Sequence, residues 1–297
     1  MNNSLYATLD QAKSYMSFAS QNVGDDDKIF GFIRRASRSI DKYCRRKFYP
    51  QRETRYYNYR FGDVLKLDSE LLQLDTLTTQ NGGETIDLSA VILQTGENYN
   101  YGPWDTIVLR SDSGSQFNYS GTDQKANAVV GFWGYRENYG EEAWVNTGTS
   151  LAGSYAASGT SLSLAGAGSA GVGASDVNYD APRISPGDLL MVGGEMFNVV
   201  AGSGPNQSIV IPHSNGTSAN NHASGTAIYK YAPEPDINWT TIRLTSWLYG
   251  QGMSPYESKT AFIQLGTITM PTNAISSDIK DRLDRFRKTT LVIYPDN

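Results

Sequence analysis

The chain of 297 residues has one cysteine and two histidines, and this scarcity excludes several kinds of site. A single cysteine, Cys44, excludes an intrachain disulfide and a cysteine-rich zinc site. The two histidines, His213 and His222, lie in one polar stretch that supplies no further suitable ligand. Local hydrogen bonding is therefore the expected role of the histidines. We predict no metal site and no cofactor.

Long apolar runs are also missing. No stretch approaches the roughly 18 apolar residues that a membrane helix needs, so no membrane partner is expected. The first nine residues have no basic segment followed by an apolar one, which predicts a protein made in a reducing cytoplasm. The net charge of −5 does not favour a protein built to bind polyanions.

The residues that catalysis requires are not arranged in any recognisable set. Cys44 lies on the apolar stripe of a predicted helix, where burial is its usual fate. The glycine-rich stretch 166–173 has no following Lys-Ser/Thr, so it does not resemble a phosphate-binding loop. Glu141 and Glu142 are adjacent acids with no partner that the sequence brings to them. We predict that the protein is not an enzyme.

What the sequence does contain falls into four zones. Residues 8–48 read as helical, with Thr8 and Gln11 spaced as a capping box and a longer helix that begins near Asp26 and is ended by Pro50. Residues 52–140 contain short strand patterns, among them "VLKLD" and "LLQLDTLTT", with Asn81-Gly82-Gly83 as a hairpin turn. Residues 145–230 carry six charged residues and 14 of the 29 glycines, which favours a small β-module with a hairpin at Gly193-Gly194. Residues 233–297 return to helix, with Gly250 just past the end of the first helix, and end in an apolar tail.

The zones predict an α+β fold. A helical bundle would form from the N- and C-terminal helix pairs, with a middle β-region and an inserted small β-sandwich or barrel. The predicted domains are a core made of residues 1–144 and 233–297 and an inserted Gly/Ser-rich β-domain at 145–232.

Several stretches, taken in order, resemble the head–tail adaptor, or neck connector, proteins of tailed bacteriophages. These stretches are "YATLDQAKSYMSF", "DDDKIFGFIRRASRSIDKYCRRKF", "VLKLDSELLQLDTLTT", "VVGFWGYRE", "PEPDINWTTIRLTSWLY" and "SDIKDRLDRFRK". The resemblance covers about two-thirds of the chain. Each motif is loose, and the order of the motifs is the specific part. Residues 145–230 depart from the shorter adaptors.

The resemblance implies a structural virion protein at the neck, made in the host bacterial cytoplasm. It would form a homo-oligomeric, predicted dodecameric, ring beneath the portal protein and meet a stopper or tail-completion protein on its other side. The ring would connect the capsid to the tail and extend the channel, through which genomic DNA passes during ejection without tight binding.

Two sets of residues are predicted to make the contacts. The C-terminal tail would dock on the portal, which the resemblance implies and which its β-prone apolar character favours. The alternative is that this tail forms a strand in its own domain. The tail residues are Leu291, Val292, Ile293 and Tyr294. The cations of the helix after residue 26 would contact a neighbouring subunit or partner, although exposure to solvent and contact with passing DNA are alternatives. These cations are Arg34, Arg35, Arg38, Lys42, Arg45 and Arg46.

Two other functions compete with the adaptor. The first is a carbohydrate-binding or host-contact virion protein built on the inserted β-domain, with Trp144, Tyr155 and Tyr179 as possible sugar platforms. The second is a DNA-binding protein that uses the helix at 26–48, for which strongly salt-dependent duplex affinity is expected.

Overall fold

A computed structural model describes residues 4–18, 23–96, 102–165, 184–202, 206–253, 260–263, 266–269 and 277–288. The chain divides into two compact units. The first, here the β unit, comprises Met1–Ser4, Lys47–Ile184 and Asp188–Glu234. The second, here the helical unit, comprises Leu5–Arg46, Ser185–Gly187 and Pro235–Asn297. Each unit is described by itself.

The predicted fold class, an α+β protein based on a helical bundle, is wrong. Strands account for 35% of the structure and helices for 28%, and the strands form a sheet and a closed barrel. Five α-helices are present in the described residues: α1 Leu9–Tyr15, α2 Asp26–Cys44, α3 Tyr139–Glu142, α4 Pro235–Met253 and α5 Ser277–Asp284. At seven and eight residues, α1 and α5 are too short to form two layers of a bundle.

The β unit begins with an antiparallel sheet in the order β1-β6-β2-β5-β4, with β3 paired to the end of β2. The strands are β1 Gln51–Tyr57, β2 Val64–Thr79, β3 Glu84–Ile86, β4 Val91–Gln94, β5 Trp104–Leu109 and β6 Asn127–Trp133. The 16-residue β2 replaces two strands predicted from the sequence, and bulges let it pair with β5 and then with β6. The predicted turn at Asn81-Gly82-Gly83 is confirmed, since β2 and β3 pair across it.

The sheet packs one face around Leu71, Leu77, Ile107, Val129 and Trp133, all buried. A Cβ atom at Gly131 would lie 2.2 Å from the backbone oxygen of Gln73, so only glycine lets β6 and β2 approach this closely.

The low-charge zone forms a closed barrel in the order β10-β11-β8-β7-β12-β9. Its strands are β7 Trp144–Leu151, β8 Ser161–Ala165, β9 Leu189–Val192, β10 Glu195–Gly202, β11 Gln207–Ile211 and β12 Ala227–Tyr231. The predicted hairpin at Gly193-Gly194 is confirmed by the pairing of Glu195 with Val192. Closure leaves no free sheet edge, and leucine, valine, isoleucine and phenylalanine side chains fill the interior. The proposed domain boundaries at 145 and 232 stay a prediction.

In the helical unit, α2 and α4 pack as a pair of 19-residue helices, with α1 and α5 beside them. The capping box at Thr8 and Gln11 is confirmed. Arg45 adopts a left-handed conformation and ends α2 earlier than expected, whereas α4 continues past Gly250, where the sequence predicted its end. A hairpin of β13 Thr260–Ile263 and β14 Gly266–Thr269 belongs to the same unit. Among the described residues, no helix is both long and apolar enough to span a membrane.

Candidate functional site

The outer side of α2 carries the cations predicted to make contacts. Arg34, Arg35, Lys42 and Arg45 are exposed, whereas Arg38 and Arg46 are half-buried. The inner side of the same helix is fully buried through Ile29, Ile33, Ala36, Ile40 and Cys44. The helical period therefore separates an apolar side from a basic one.

Ion pairs within the chain neutralise only part of this helix. Residues 28–46 contain seven Lys or Arg residues and one acid, Asp41, which accepts a hydrogen bond from Arg38 at 3.0 Å. Within the described part of the chain, Arg34, Arg35 and Lys42 form no ion pair. We call Arg34, Arg35, Lys42 and Arg45 the basic face of α2.

Two arginines between α4 and α5 have a different environment from the cations of the basic face. Arg282 lies 3.4 Å from Asp236 on α4, and Arg243 is bonded to Asp278. The guanidinium groups of Arg243 and Arg282 also lie 4.6 Å and 4.4 Å from the ring centre of Trp239. These pairs fix α5 against α4. The arginines between these two helices are therefore neutralised within the chain, in contrast to the cations of the basic face.

A second exposed feature was not recognised from the sequence. Phe61, between β1 and β2, is 97% exposed, and Tyr56, Val64 and Tyr119 are also exposed. The rings of Tyr59 and Tyr119 lie 5.1 Å apart. We call Tyr56, Tyr59, Phe61, Val64 and Tyr119 the aromatic tip. Four aromatic residues within positions 56–61 were a signal, but aromatic residues in a strand pattern usually indicate burial.

The two histidines of the chain meet at one buried carboxylate. Glu195 is fully buried; its Oε1 lies 2.8 Å from His213 Nδ1 and its Oε2 lies 3.0 Å from His222 Nε2. Backbone amides of His213 and Asn220 donate to the same carboxylate at 3.2 Å and 2.9 Å. The sequence did not indicate Glu195 as the partner of either histidine. No group of three metal-ligating side chains suited to an ion is found among the described residues.

The other residues considered from the sequence lie in ordinary structural positions. Tyr155 is buried and its ring stacks on His222, while Trp144 Nε1 donates to the hydroxyl of Tyr139 at 3.0 Å. Glu142 lies 3.6 Å from Arg136, so Glu141 and Glu142 do not form an isolated acid–base pair. Tyr179 and the tail residues Leu291, Val292, Ile293 and Tyr294 lie outside the described residues.

Cys44 is buried, and burial raises the pKa of its thiol to about 12. A nucleophilic cysteine needs a thiolate near neutral pH, so this environment is unsuited to nucleophilic catalysis.

Comparisons with known proteins leave the family open. No family model matches the chain, and no curated protein matches it significantly.

Raised acid pKa values predict a loss of stability at alkaline pH. Burial raises the pKa of Cys44 and of Tyr139 to about 12, from 9.0 and 10.0, and raises that of Tyr231 well above its usual 10.0. At a pH between the pKa in the unfolded chain and the higher pKa in the folded chain, the unfolded chain has released a proton that the folded chain retains. The free energy of unfolding therefore falls as the pH rises. We expect urea denaturation to show a free energy of unfolding about 5 kcal/mol lower at pH 11 than at pH 8. The Cys44→Ala variant should lose less over this range. An unchanged free energy between the two pH values would contradict the expectation.

Proposed function

We propose that the protein is a head–tail adaptor that forms a ring beneath the portal of a tailed bacteriophage. The ring extends the DNA channel and connects the capsid to the tail. The observation that carries the proposal is the basic face of α2, whose cations at Arg34, Arg35 and Lys42 have no ion-pair partner in the described chain. The order of the sequence motifs, which resembles that of adaptor proteins, supports the same conclusion.

The basic face suits contact with another protein better than contact with DNA. The whole chain carries a net charge of −5, so acidic surfaces are available on a neighbouring copy. A head-to-tail contact that repeats by rotation closes into a ring, and opposite charges fix the orientation of each copy. DNA that must pass through the ring should meet no tight phosphate contacts, since these would retard ejection.

The aromatic tip supports a second contact. An isolated large apolar side chain on a surface is common, but three exposed aromatic residues, Tyr56, Phe61 and Tyr119, favour a partner-binding surface. We assign the tip to contact with the portal or with the stopper or tail-completion protein. The segment 291–294 is the further predicted portal contact.

The ring proposal is tested by mixing the purified protein with its portal and measuring mass and negative-stain images. We expect a ring stacked on the portal. The double variant Arg34→Glu/Arg35→Glu should remain folded, because both side chains are exposed, and should lose the ring. Lys66→Glu/Arg110→Glu makes the same change in net charge on the β unit and should retain it. Deletion of residues 290–297 should abolish portal attachment while leaving the fold. A monomer that ignores the portal rejects the proposal.

The aromatic tip gives a prediction that separates stability from assembly. Phe61 makes almost no packing contact, so Phe61→Ser should change the free energy of unfolding by less than about 0.5 kcal/mol. Partner binding should weaken at least tenfold, about 1.4 kcal/mol, when measured by co-sedimentation with the portal or tail component. The matched control is Leu88→Ser, which removes a large side chain that is 43% exposed. Equal binding by the two variants would show that the tip makes no contact.

A further inference from the structure

The β unit contains a polar cavity of about 350 Å³ that the ring proposal does not use. It lies between the start of β1, the middle of β10 and the loop that follows β11. Its polar lining comes from Gln51, Asn198, His213, Ser214 and Asn215, and its apolar lining from Ile211 and Pro212. This volume falls within the range of small-molecule sites.

The loop is held firmly against β1. Gly216 has a φ of +79°, and a Cβ atom there would lie 2.1 Å from the backbone oxygen of Arg52. No other residue permits this approach, so the loop and the strand form fixed walls. The cavity is therefore shaped before any ligand arrives, which lowers the entropic cost of binding.

A buried amide in this lining lacks a partner. Asn215 is 5% exposed, and its Nδ2 has no hydrogen-bond partner among the described residues. Its Oδ1 lies 2.9 Å from the Ser4 hydroxyl, which also lies 3.1 Å from Asn198 Oδ1. Turning the Asn215 amide over would leave the oxygen unpaired instead. A buried polar group without a partner is costly, so a ligand hydroxyl that reaches this amide would be favoured.

An oriented imidazole lies beside that amide. His213 Nδ1 lies 2.8 Å from the fully buried Glu195 carboxylate, which fixes the ring and assigns a proton to Nδ1. In the neutral ring, Nε2 is then an acceptor. The lining thus combines the oriented imidazole of His213 with the neutral polar side chains of Gln51, Asn198, Ser214 and Asn215.

The residues that line the cavity indicate which chemical class of ligand it would bind. We infer that this cavity is a binding site for a neutral polyhydroxy compound of the size of a single sugar ring. Every hydroxyl of such a ligand both donates and accepts, as the amide and imidazole groups require. No carboxylate, lysine or arginine is part of the described lining, so a charged ligand would lose hydration without gaining an ion pair. Ile211 and Pro212 provide a surface for the carbon–hydrogen face of the ring.

This site differs from the aromatic platforms that the sequence suggested for carbohydrate. It does not depend on the ring proposal either, because none of its residues belongs to the basic face or to the aromatic tip.

The test uses the full-length protein and saturation-transfer NMR. The neutral probes are glucose, galactose and N-acetylglucosamine, and the charged comparators are sialic acid and glucosamine. We expect saturation transfer to at least one neutral sugar and at least tenfold weaker binding in Asn215→Gly. Glycine retains the left-handed backbone of that position, where φ is 56°. Asn138→Gly is the matched control, since Asn138 has a φ of 51° and lies outside the cavity lining. It should bind as the unaltered protein does.

A second variant, His213→Asn, is used in case Asn215→Gly does not fold. His213→Asn keeps a residue that tolerates the left-handed backbone and removes the oriented imidazole. If Asn215→Gly fails to fold, loss of binding in folded His213→Asn supports the site. The inference is overturned by an absence of transfer to all three neutral sugars, by stronger transfer to either charged comparator, or by unchanged binding in the folded variants. None of these outcomes affects the ring proposal, because that proposal is tested by mass measurement and negative-stain images of the protein mixed with its portal.

Discussion

Replacing Glu195 by glutamine should lower the free energy of unfolding by about 3 kcal/mol or more. The carboxylate is fully buried and accepts four hydrogen bonds, two at each oxygen. His213 supplies both donors at Oε1, while Asn220 and His222 supply those at Oε2. A glutamine places an NH2 group against a backbone N–H whichever way its amide is turned, and the imidazole beside that N–H must change tautomer to accept from the NH2 group. Unsatisfied buried donors cost about 1–3 kcal/mol each, and bonds to a charged group are the stronger kind.

The measurement is equilibrium urea denaturation at pH 7.5, followed by tryptophan fluorescence and by far-ultraviolet circular dichroism. Glu84→Gln is the matched control, because Glu84 is an exposed acid at the start of β3 whose only described contact is with Gln80. We expect the control to stay within about 0.5 kcal/mol of the unaltered protein. A loss below about 1 kcal/mol in Glu195→Gln would show that the loop 212–222 is held by other contacts.

The Glu195 cluster shows which features the sequence could reveal. Local hydrogen bonding was expected for His213 and His222, yet their partner lies 18 and 27 residues earlier, at the start of β10. Barrel closure brings these residues together, and no local spacing records that closure. The Thr8 capping box and the Gly193-Gly194 hairpin were predicted correctly because each depends on residues within a few positions of one another.

The predicted fold class was wrong for the same reason, because it too depends on contacts between residues far apart in sequence. Helical periodicity predicted a buried side of α2 at Ile29, Ile33 and Ile40, and each is buried. The extent of the short helices and the pairing of distant strands depend on tertiary contacts, which periodicity does not describe. The sequence predicted two strands separated at Ser69 and Glu70, but a bulged β2 continues through both residues. The exposure of Phe61 was likewise invisible, since it depends on where the sheet ends.

The cations of α2 proposed to make assembly contacts could be predicted from the sequence only in part. The sequence identified the cations of α2 because a helical period places them opposite the apolar stripe. It did not distinguish Arg38, which bonds Asp41, from Arg34 and Arg35, which form no ion pair in the described chain. The ion pairs between α4 and α5, Arg243 with Asp278 and Arg282 with Asp236, were equally hidden, since they join helices far apart in sequence. Which cations remain available to a partner is thus a property of the folded chain.

The second large effect is expected at Arg136, which is 5% exposed at the end of β6. Its Nε donates to the backbone oxygen of Ala232 at 3.0 Å, and its Nη1 donates to that of Glu137 at 2.6 Å and lies 3.3 Å from Glu234. Glu234 is 8% exposed and is the last residue before α4. Arg136→Met should therefore lower stability by about 3–5 kcal/mol, because it removes a buried guanidinium from a buried carboxylate and from two backbone oxygens.

A double-mutant cycle separates the ion pair from packing. Glu234→Met alone should also destabilise the protein, but less than Arg136→Met, since Glu142 remains 3.6 Å from the buried guanidinium. Arg136→Met/Glu234→Met should recover about 2 kcal/mol or more relative to Arg136→Met. Urea denaturation of the four proteins gives the coupling energy, and Arg110→Met, at an exposed arginine paired with Asp112, is the control. If the double variant is no more stable than Arg136→Met, the loss comes from the backbone oxygens of Ala232 and Glu137 instead. These two carbonyls would then be what holds the end of β6 to the end of β12.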